Sequence, residues 1–160
     1  MLKLNGVVSY NANTKAVSFT GANVYIVNGL GDTQTTNGLG NLIVGYNEQG
    51  GYATQPFCPA GGQFSNKASC QASGNTWDDG STQWQTGSHN VIIGQGHSFT
   101  SFGGLVGGLA NVINRDCAAV SGGWQNLASG FVASVSGGNY NLASGSSSKQ
   151  IKVIWAPCQS

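Results

Sequence analysis

Two histidines and one acidic pair are the side chains of this sequence that could take part in catalysis or metal binding. His89 and His97 have no acidic residue beside them, and a zinc site needs three or four ligands. Asp78 and Asp79 are adjacent, so in an extended segment their carboxylates face opposite ways. We therefore predict hydrogen-bonded structural histidines, a solvated turn at the two aspartates, no metal or cofactor, and no enzymatic activity.

Aromatic side chains in a polar loop suggest a different chemistry, the recognition of carbohydrate. Trp77 and Trp84 offer flat apolar faces that suit a sugar ring, and Asp78 and Asp79 could accept hydrogen bonds from its hydroxyls. These four residues are the candidate ligand-binding site. The alternative, which the sequence leaves open, is that the two tryptophans form the small hydrophobic core of their own loop.

The composition excludes several classes of protein. Charged residues make up 7% of the 160-residue chain, against about 25% in an average domain, and 26 residues are glycine. A net charge of +1 with scattered lysines offers no surface that follows a phosphate backbone, so we expect no nucleic-acid partner. No run of about 20 apolar residues is present, so we expect no membrane insertion by this segment. A folded, turn-rich, polar β protein remains.

Short tandem repeats organise the second half of the chain. A Gly-Gly pair closes three evenly spaced motifs: GLVGG at 104–108, AVSGG at 119–123 and SVSGG at 134–138. Three asparagines keep the same spacing: Asn111, Asn126 and Asn141. NVIIG at 90–94 precedes them by a 13-residue step, counted from Gly94 to Gly107, and NLIVG at 41–45 is a fifth unit. Such a unit has room for two short strands and two tight turns, which is one coil of a parallel β-solenoid.

The repeats also predict which residues point inward and which form the turns. Val106, Val120 and Val135 precede the paired glycines or lie close to them, and we predict that they form the core of the roll and of a trimer. The glycines serve turns with positive φ, and we expect the asparagines to adopt the left-handed region at the other corner. Gln125 lies in the polar part of its repeat.

The predicted fold class is all-β, a parallel β-roll of 13–15-residue coils with an N-terminal β cap and a long inserted loop. Residues 1–40 are the cap or lead-in segment, 41–148 the roll, 48–86 the insertion, and 149–160 a C-terminal strand and tail. We predict three strands in the cap and one near the C-terminus: 7–10, 15–20, 23–27 and 151–155. Within the second of these, AVSFT alternates with the period of two that is typical of a strand.

Four widely spaced cysteines fit disulfides better than a metal site. Cys58 and Cys70 lie in one loop rich in Gly, Ser and Asn, so a local disulfide there is our first choice. Cys117 and Cys158 then pair or stay free. Four cysteines allow three connectivities, and reduced buried thiols remain an alternative. Disulfides would place the chain in an oxidising compartment.

The repeat SVSGGNYNLASG, in which the pattern xVxxGGxxNxASG recurs once per coil, resembles the head repeats of trimeric autotransporter adhesins, the YadA-like head. The resemblance covers roughly 41–47 and 88–145, less than half of the chain. It implies a left-handed parallel β-roll, three chains about a threefold axis, an extracellular place at the bacterial surface with an outer-membrane anchor outside this segment, and adhesion. The chain departs from the family in lacking a coiled-coil stalk and in carrying a 39-residue insertion.

Two functions follow from these observations. The first is a non-catalytic head or tip module of a homotrimeric surface fibre, which binds a carbohydrate or protein on another cell or matrix. The second is a phage-type tail fibre or tail spike that binds or cleaves surface polysaccharide. Cleavage requires clustered carboxylates, and the chain has five acidic residues, three of them in the insertion.

Overall fold

The computed structural model describes residues 6–49, 51–60 and 66–150 of the chain. In these ranges the structure is mostly β, with one short helix in the insertion. In chain order the elements are β1 (Val8–Asn11), β2 (Ala16–Phe19), β3 (Leu42–Val44), α1 (Lys67–Ala72), β4 (Val91–Gln95), β5 (Ser98–Phe99), β6 (Leu105–Leu109), β7 (Val112–Ile113), β8 (Ala119–Val120), β9 (Leu127–Ala128), β10 (Ser134–Val135), β11 (Leu142–Ala143) and β12 (Lys149–Gln150).

Two parallel sheets form the walls of a β-solenoid of about four turns, as the repeats predicted. The first wall has six strands in the order β12-β10-β8-β6-β4-β3, and the second wall has four in the order β11-β9-β7-β5. From β4 onward each coil gives one strand to each wall. The chain turns from the first wall to the second at what we call the first corner, and returns at the second corner.

The strand register places equivalent repeat residues side by side. Ile43 pairs with Ile92 although the insertion separates them, and Ile92 pairs with Val106. The predicted 13-residue step is wrong, because Gly94 pairs with Gly108 and not with Gly107. The coil that starts at β4 is therefore one residue longer than the sequence suggested.

One coil lengthens by a residue at its glycine turn. Val106 pairs with Val120, which is a step of 14, whereas Leu109 bridges to Trp124, a step of 15. The additional residue enters between Val120 and Trp124, in the Ser-Gly-Gly turn. All later pairings along both walls keep the longer step, as between Val120 and Val135.

A narrow hydrophobic core fills the space between the walls. Val106, Val120 and Val135 are each 0% exposed, so they lie in the roll core as predicted. The complete cluster is Ile92, Phe99, Val106, Ile113, Ala118, Val120, Ala128, Ala133, Val135 and Ala143. Along the second wall the inward side chains become smaller from one coil to the next, in the order Phe99, Ile113, Ala128 and Ala143. The space between the walls is therefore filled by smaller side chains in the later coils.

The first corner uses two left-handed residues in each of the later coils. Gly123 (φ 87°) and Gly138 (φ 88°) confirm the prediction that the paired glycines serve turns with positive φ. The expectation for the asparagines is wrong. It is the residue before Asn126 and Asn141 that is left-handed, namely Gln125 (φ 51°) and Tyr140 (φ 56°).

The asparagines instead form a hydrogen-bonded column along the first corner, which we call the asparagine ladder. Asn126 N–H donates to Asn111 Oδ1 (2.7 Å), and Asn141 N–H donates to Asn126 Oδ1 (2.9 Å). His97 takes the preceding position, where its Nδ1 accepts from Asn111 N–H (3.1 Å). Asn47 Oδ1 accepts from His97 N–H (2.8 Å) and begins the ladder. Each rung satisfies backbone groups that the turns leave unpaired.

The N-terminal segment contains one hairpin. β1 and β2 pair antiparallel, with Val8 opposite Phe19. The strand predicted at 23–27 is not formed, because these residues have no pairing partner among the described residues and Tyr25 is 79% exposed. At the other end β12 pairs with β10. The strand predicted at 151–155 lies outside the described residues.

Candidate functional site

The insertion lies against the outer face of the second wall. Phe57, which is 1% exposed, packs with Val112 and Leu127, and the Trp84 ring covers the same cluster. Because these two wall residues point away from the solenoid interior, they would be exposed without the insertion. The insertion is therefore part of the packed molecule.

Side-chain amides attach the insertion to the first corner. Gln55 Nε2 donates to Gln125 O (2.6 Å) and to Asn141 O (3.0 Å). In return Gln125 Nε2 donates to Ala53 O (2.6 Å). Farther along the insertion, Asn114 Nδ2 donates to Cys58 O (3.1 Å). These bonds hold the segment around residues 53–58 against three successive coils.

The Cys58–Cys70 disulfide confirms the predicted pairing. Its Cα atoms are 5.9 Å apart, and the bond joins the chain beside Phe57 to helix α1. The Asn66 side chain caps α1 by accepting from Ser69 N–H (2.9 Å). Cys117 is an exposed free thiol, and Cys158 lies outside the described residues. The disulfide indicates a location outside the cytoplasm.

The four predicted ligand-binding residues do not form one site in this structure. Trp84 Nε1–H donates to Asp78 Oδ2 (2.9 Å), and Asp78 is only 7% exposed. Trp77 lies in a separate groove of about 230 Å³ beside Phe57 and the second wall. Asp79 is exposed, and hydrogen bonds from the Ser81 side chain and backbone lower its pKa. The structure thus joins Trp84 to Asp78 by a hydrogen bond, whereas Trp77 lines a different groove and Asp79 bonds to Ser81.

Both histidines are hydrogen-bonded, as predicted. His89 Nε2 accepts from Asn28 N–H (3.2 Å), and its Nδ1 lies 3.0 Å from Thr33 O. His97 is 0% exposed, and its Nε2 lies 3.2 Å from Ile93 O. Burial lowers the pKa of His97. In the described ranges no three His, Cys, Asp or Glu residues cluster closely enough to hold a metal ion.

Three exposed aromatic side chains form a feature that we call the aromatic row: Tyr52, Trp124 and Tyr140. The ring centroids of Trp124 and Tyr140 are 5.5 Å apart at an interplanar angle of 58°. The ring of Tyr52, from the insertion, meets Trp124 edge-on at 6.4 Å. Trp124 and Tyr140 lie close together because they occupy similar positions in consecutive coils. Nothing in the sequence pointed to Tyr52 as their neighbour, because it is distant from Trp124 along the chain and lies outside the repeats.

A polar cleft of about 430 Å³ lies beside the second corner. Its lining includes Arg115 and Asp116, the adjacent charged pair within the repeats, and Ser101 Oγ donates to Asp116 Oδ1. None of the four predicted ligand-binding residues lines this cleft.

The fold defines the class of protein: a parallel β-solenoid with a disulfide-closed insertion on one wall. No protein-family model, curated protein or solved structure matches the chain. Within the described residues, no helix is long and apolar enough to cross a membrane.

Proposed function

We propose that this chain is a non-catalytic head or tip module of a homotrimeric fibre on a bacterial surface, and that it mediates adhesion by recognising a ligand. The observation that supports the proposal is the difference between the two lateral faces of the solenoid. The insertion covers the outer face of the second wall, whereas the outer face of the first wall has no such cover among the described residues.

The outer face of the first wall is apolar, and we call it the bare face. Leu42 (45% exposed), Val44 (53%) and Ile93 (45%) lie on its first two strands, with half-buried Val91 and Leu105 beside them. A contiguous apolar patch of this kind on a folded protein marks an interaction surface. The bare face therefore supports association with other chains.

The composition of the bare face fits a second and third copy of this chain. Farther along the wall the outward residues become small, with Ala119 and Ser134 in β8 and β10. From β3 to β10 the strands of this wall contain no charged residue. Charges on such a face would repeat three times around a threefold axis and repel, whereas small neutral residues let three walls approach closely.

The trimer is tested by light scattering on the wild-type chain and an Ile93→Asp variant. The wild type is expected at three times the chain mass of 16.3 kDa, with and without reductant. Ile93 points outward, so the variant should keep its β circular dichroism and lose the trimer, because three carboxylates would be buried close together.

The matched control is Val17→Asp, which changes a 57% exposed valine in β2 and should leave the trimer intact. A wild-type mass of 16.3 kDa at micromolar concentration, or an Ile93→Asp variant that remains trimeric, contradicts the proposed assembly.

A further inference from the structure

We propose that the aromatic row is a binding platform for a linear, neutral polysaccharide. The inference rests on the proposed adhesive function and names its ligand class. It places recognition at Tyr52, Trp124 and Tyr140, none of which is among the four residues that the sequence suggested.

Two rings of the aromatic row, those of Trp124 and Tyr140, come from consecutive coils along the solenoid axis. Trp124 bridges to Asn139 in the next coil, and Tyr140 follows that residue directly. Adjacent parallel strands lie about 4.8 Å apart, so two rings are offset by one coil along the row. Trp124 is 37% exposed, Tyr52 50% and Tyr140 56%. A polymer of sugar rings can therefore contact successive rings as it extends along the axis.

The backbone around the aromatic row is held in place before any ligand arrives. Tyr140 N–H donates to Trp124 O (3.2 Å), which links the two coils at the row itself. Tyr52 precedes Ala53, whose carbonyl accepts from the Gln125 side chain (2.6 Å). A platform built on such anchored segments loses little conformational entropy on binding.

Polar groups that suit hydroxyls lie beside the rings. Gln125 follows Trp124 in the chain and is 8% exposed, and its Oε1 has no hydrogen-bond partner in the described structure. Asn139 precedes Tyr140 in the chain, and its Oδ1 is also buried without a hydrogen-bond partner in the described structure. An unpartnered buried amide oxygen is costly, and a small local opening would let it accept a hydrogen bond from a ligand hydroxyl or bridging water.

The segments that carry the aromatic row are uncharged and favour a neutral ligand. No Asp, Glu, Lys or Arg occurs in residues 117–148, or between Glu48 and Lys67 in the insertion segment that carries Tyr52. An acidic polysaccharide would find no cation there to pair with, whereas apolar ring faces and amides suit uncharged pyranose rings.

The test is native affinity electrophoresis of the full chain in gels that contain hydroxyethylcellulose, galactomannan or xylan, with alginate as the acidic comparison. We expect retardation by at least one neutral polymer and none by alginate. Trp124→Ala should weaken that binding about tenfold, and Trp124→Tyr should retain most of it. Phe131→Ala is the matched control, because Phe131 is an exposed aromatic residue (45%) at the second corner.

Each variant is first shown to keep the circular dichroism and mass of the wild type. No retardation by any of the three neutral polymers, or equal retardation of the wild type and Trp124→Ala, overturns the inference. A trimer that binds none of them refutes the glycan site alone. A monomer that binds through Trp124 refutes the trimer alone.

Discussion

Val132 adopts a backbone conformation that is unfavourable for a β-branched residue. Its φ is 54°, in the left-handed region, and its side chain is 44% exposed. Cys117 (φ 56°) and Ser147 (φ 58°) occupy the same place in the neighbouring coils, so the second corner requires this conformation whatever residue it carries. The coil geometry therefore imposes the backbone strain at Val132, and the contacts of the surrounding coils offset its energetic cost.

Replacing Val132 by asparagine should stabilise the protein. Asparagine tolerates the left-handed region, so we expect Val132→Asn to raise the free energy of unfolding by about 1 kcal/mol in urea denaturation. The neighbouring Phe131 is equally exposed but does not have a positive φ, and Phe131→Asn should give no such gain. A Val132→Asn variant that is less stable than the wild type would show that the corner is not strained.

His97 makes the asparagine ladder sensitive to pH. The ring is fully buried and its Nδ1 accepts from Asn111 N–H, so its neutral form with the proton on Nε2 fits the ladder. Burial lowers the pKa of His97 in the folded protein, whereas in the unfolded chain the pKa of this imidazole is about 6.5. Below that pH the unfolded chain binds more protons than the folded one. The stability from neutral His97 is thus full above about pH 6.5 and declines as the pH falls below it.

We expect His97→Asn to reduce this pH dependence, because asparagine is the residue that the other rungs use. The measurement is the urea midpoint at about pH 7.5 and about pH 5.5 for both proteins. The wild type should lose more stability between the two pH values than the variant. Equal losses would mean that His97 contributes nothing to the acid sensitivity.

At the scale of the elements, the sequence predicted the structures that depend on local spacing. The Gly-Gly pairs and the asparagines recur once per coil. This spacing predicted the parallel strands, and the valines before the glycines were predicted to lie in the core. The repeat spacing could not separate Gly107 from Gly108 as the partner of Gly94, because both positions are glycine. The strand expected at 23–27 failed for a different reason. Its composition is typical of a strand, with apolar or aromatic residues from Val24 to Val27, but no neighbouring strand pairs with it in the described structure.

The packing of the insertion could not be predicted, because it depends on contacts between residues distant in sequence. Gln125 lies in the polar part of its repeat, yet it is only 8% exposed, and its side chain donates to Ala53 O, 72 positions away in the sequence. The same holds for the candidate site. Trp84 and Asp78 pair with each other, and Tyr52 joins Trp124 through a loop whose path has no repeat to reveal it.

Phe57→Ala should show that the insertion stabilises the second wall. The side chain is 1% exposed against Val112 and Leu127, so its removal should cost about 3–5 kcal/mol of unfolding free energy, read from urea denaturation followed by circular dichroism. Phe19→Ala removes a 54% exposed ring from the hairpin and should change stability by about 0.5 kcal/mol or less. Equal effects of the two substitutions would mean that the insertion does not support the wall.

At the scale of the whole molecule, three parts of the solenoid surface differ in what covers or lines them. One lateral face is covered by the chain's own insertion, one is bare and apolar, and the first corner carries the aromatic row beside them. In the proposed trimer the bare faces meet around the axis. Asp at Val120 or Val135 would disrupt the roll core whether or not the chain associates, so the outward Ile93 is the position that tests assembly.

The insertion also has a consequence for the order in which the solenoid assembles. Leu42 and Val91 pair across the whole insertion, whereas the later neighbouring coils pair across a single repeat. Loop-closure entropy rises with chain length, so this junction costs about 1 kcal/mol more to close than the others. The later coils can pair first, because their contacts are close in sequence. We expect β3 to pair with β4 after these coils have formed. We therefore expect the same strand to be the first to detach when the fold begins to open.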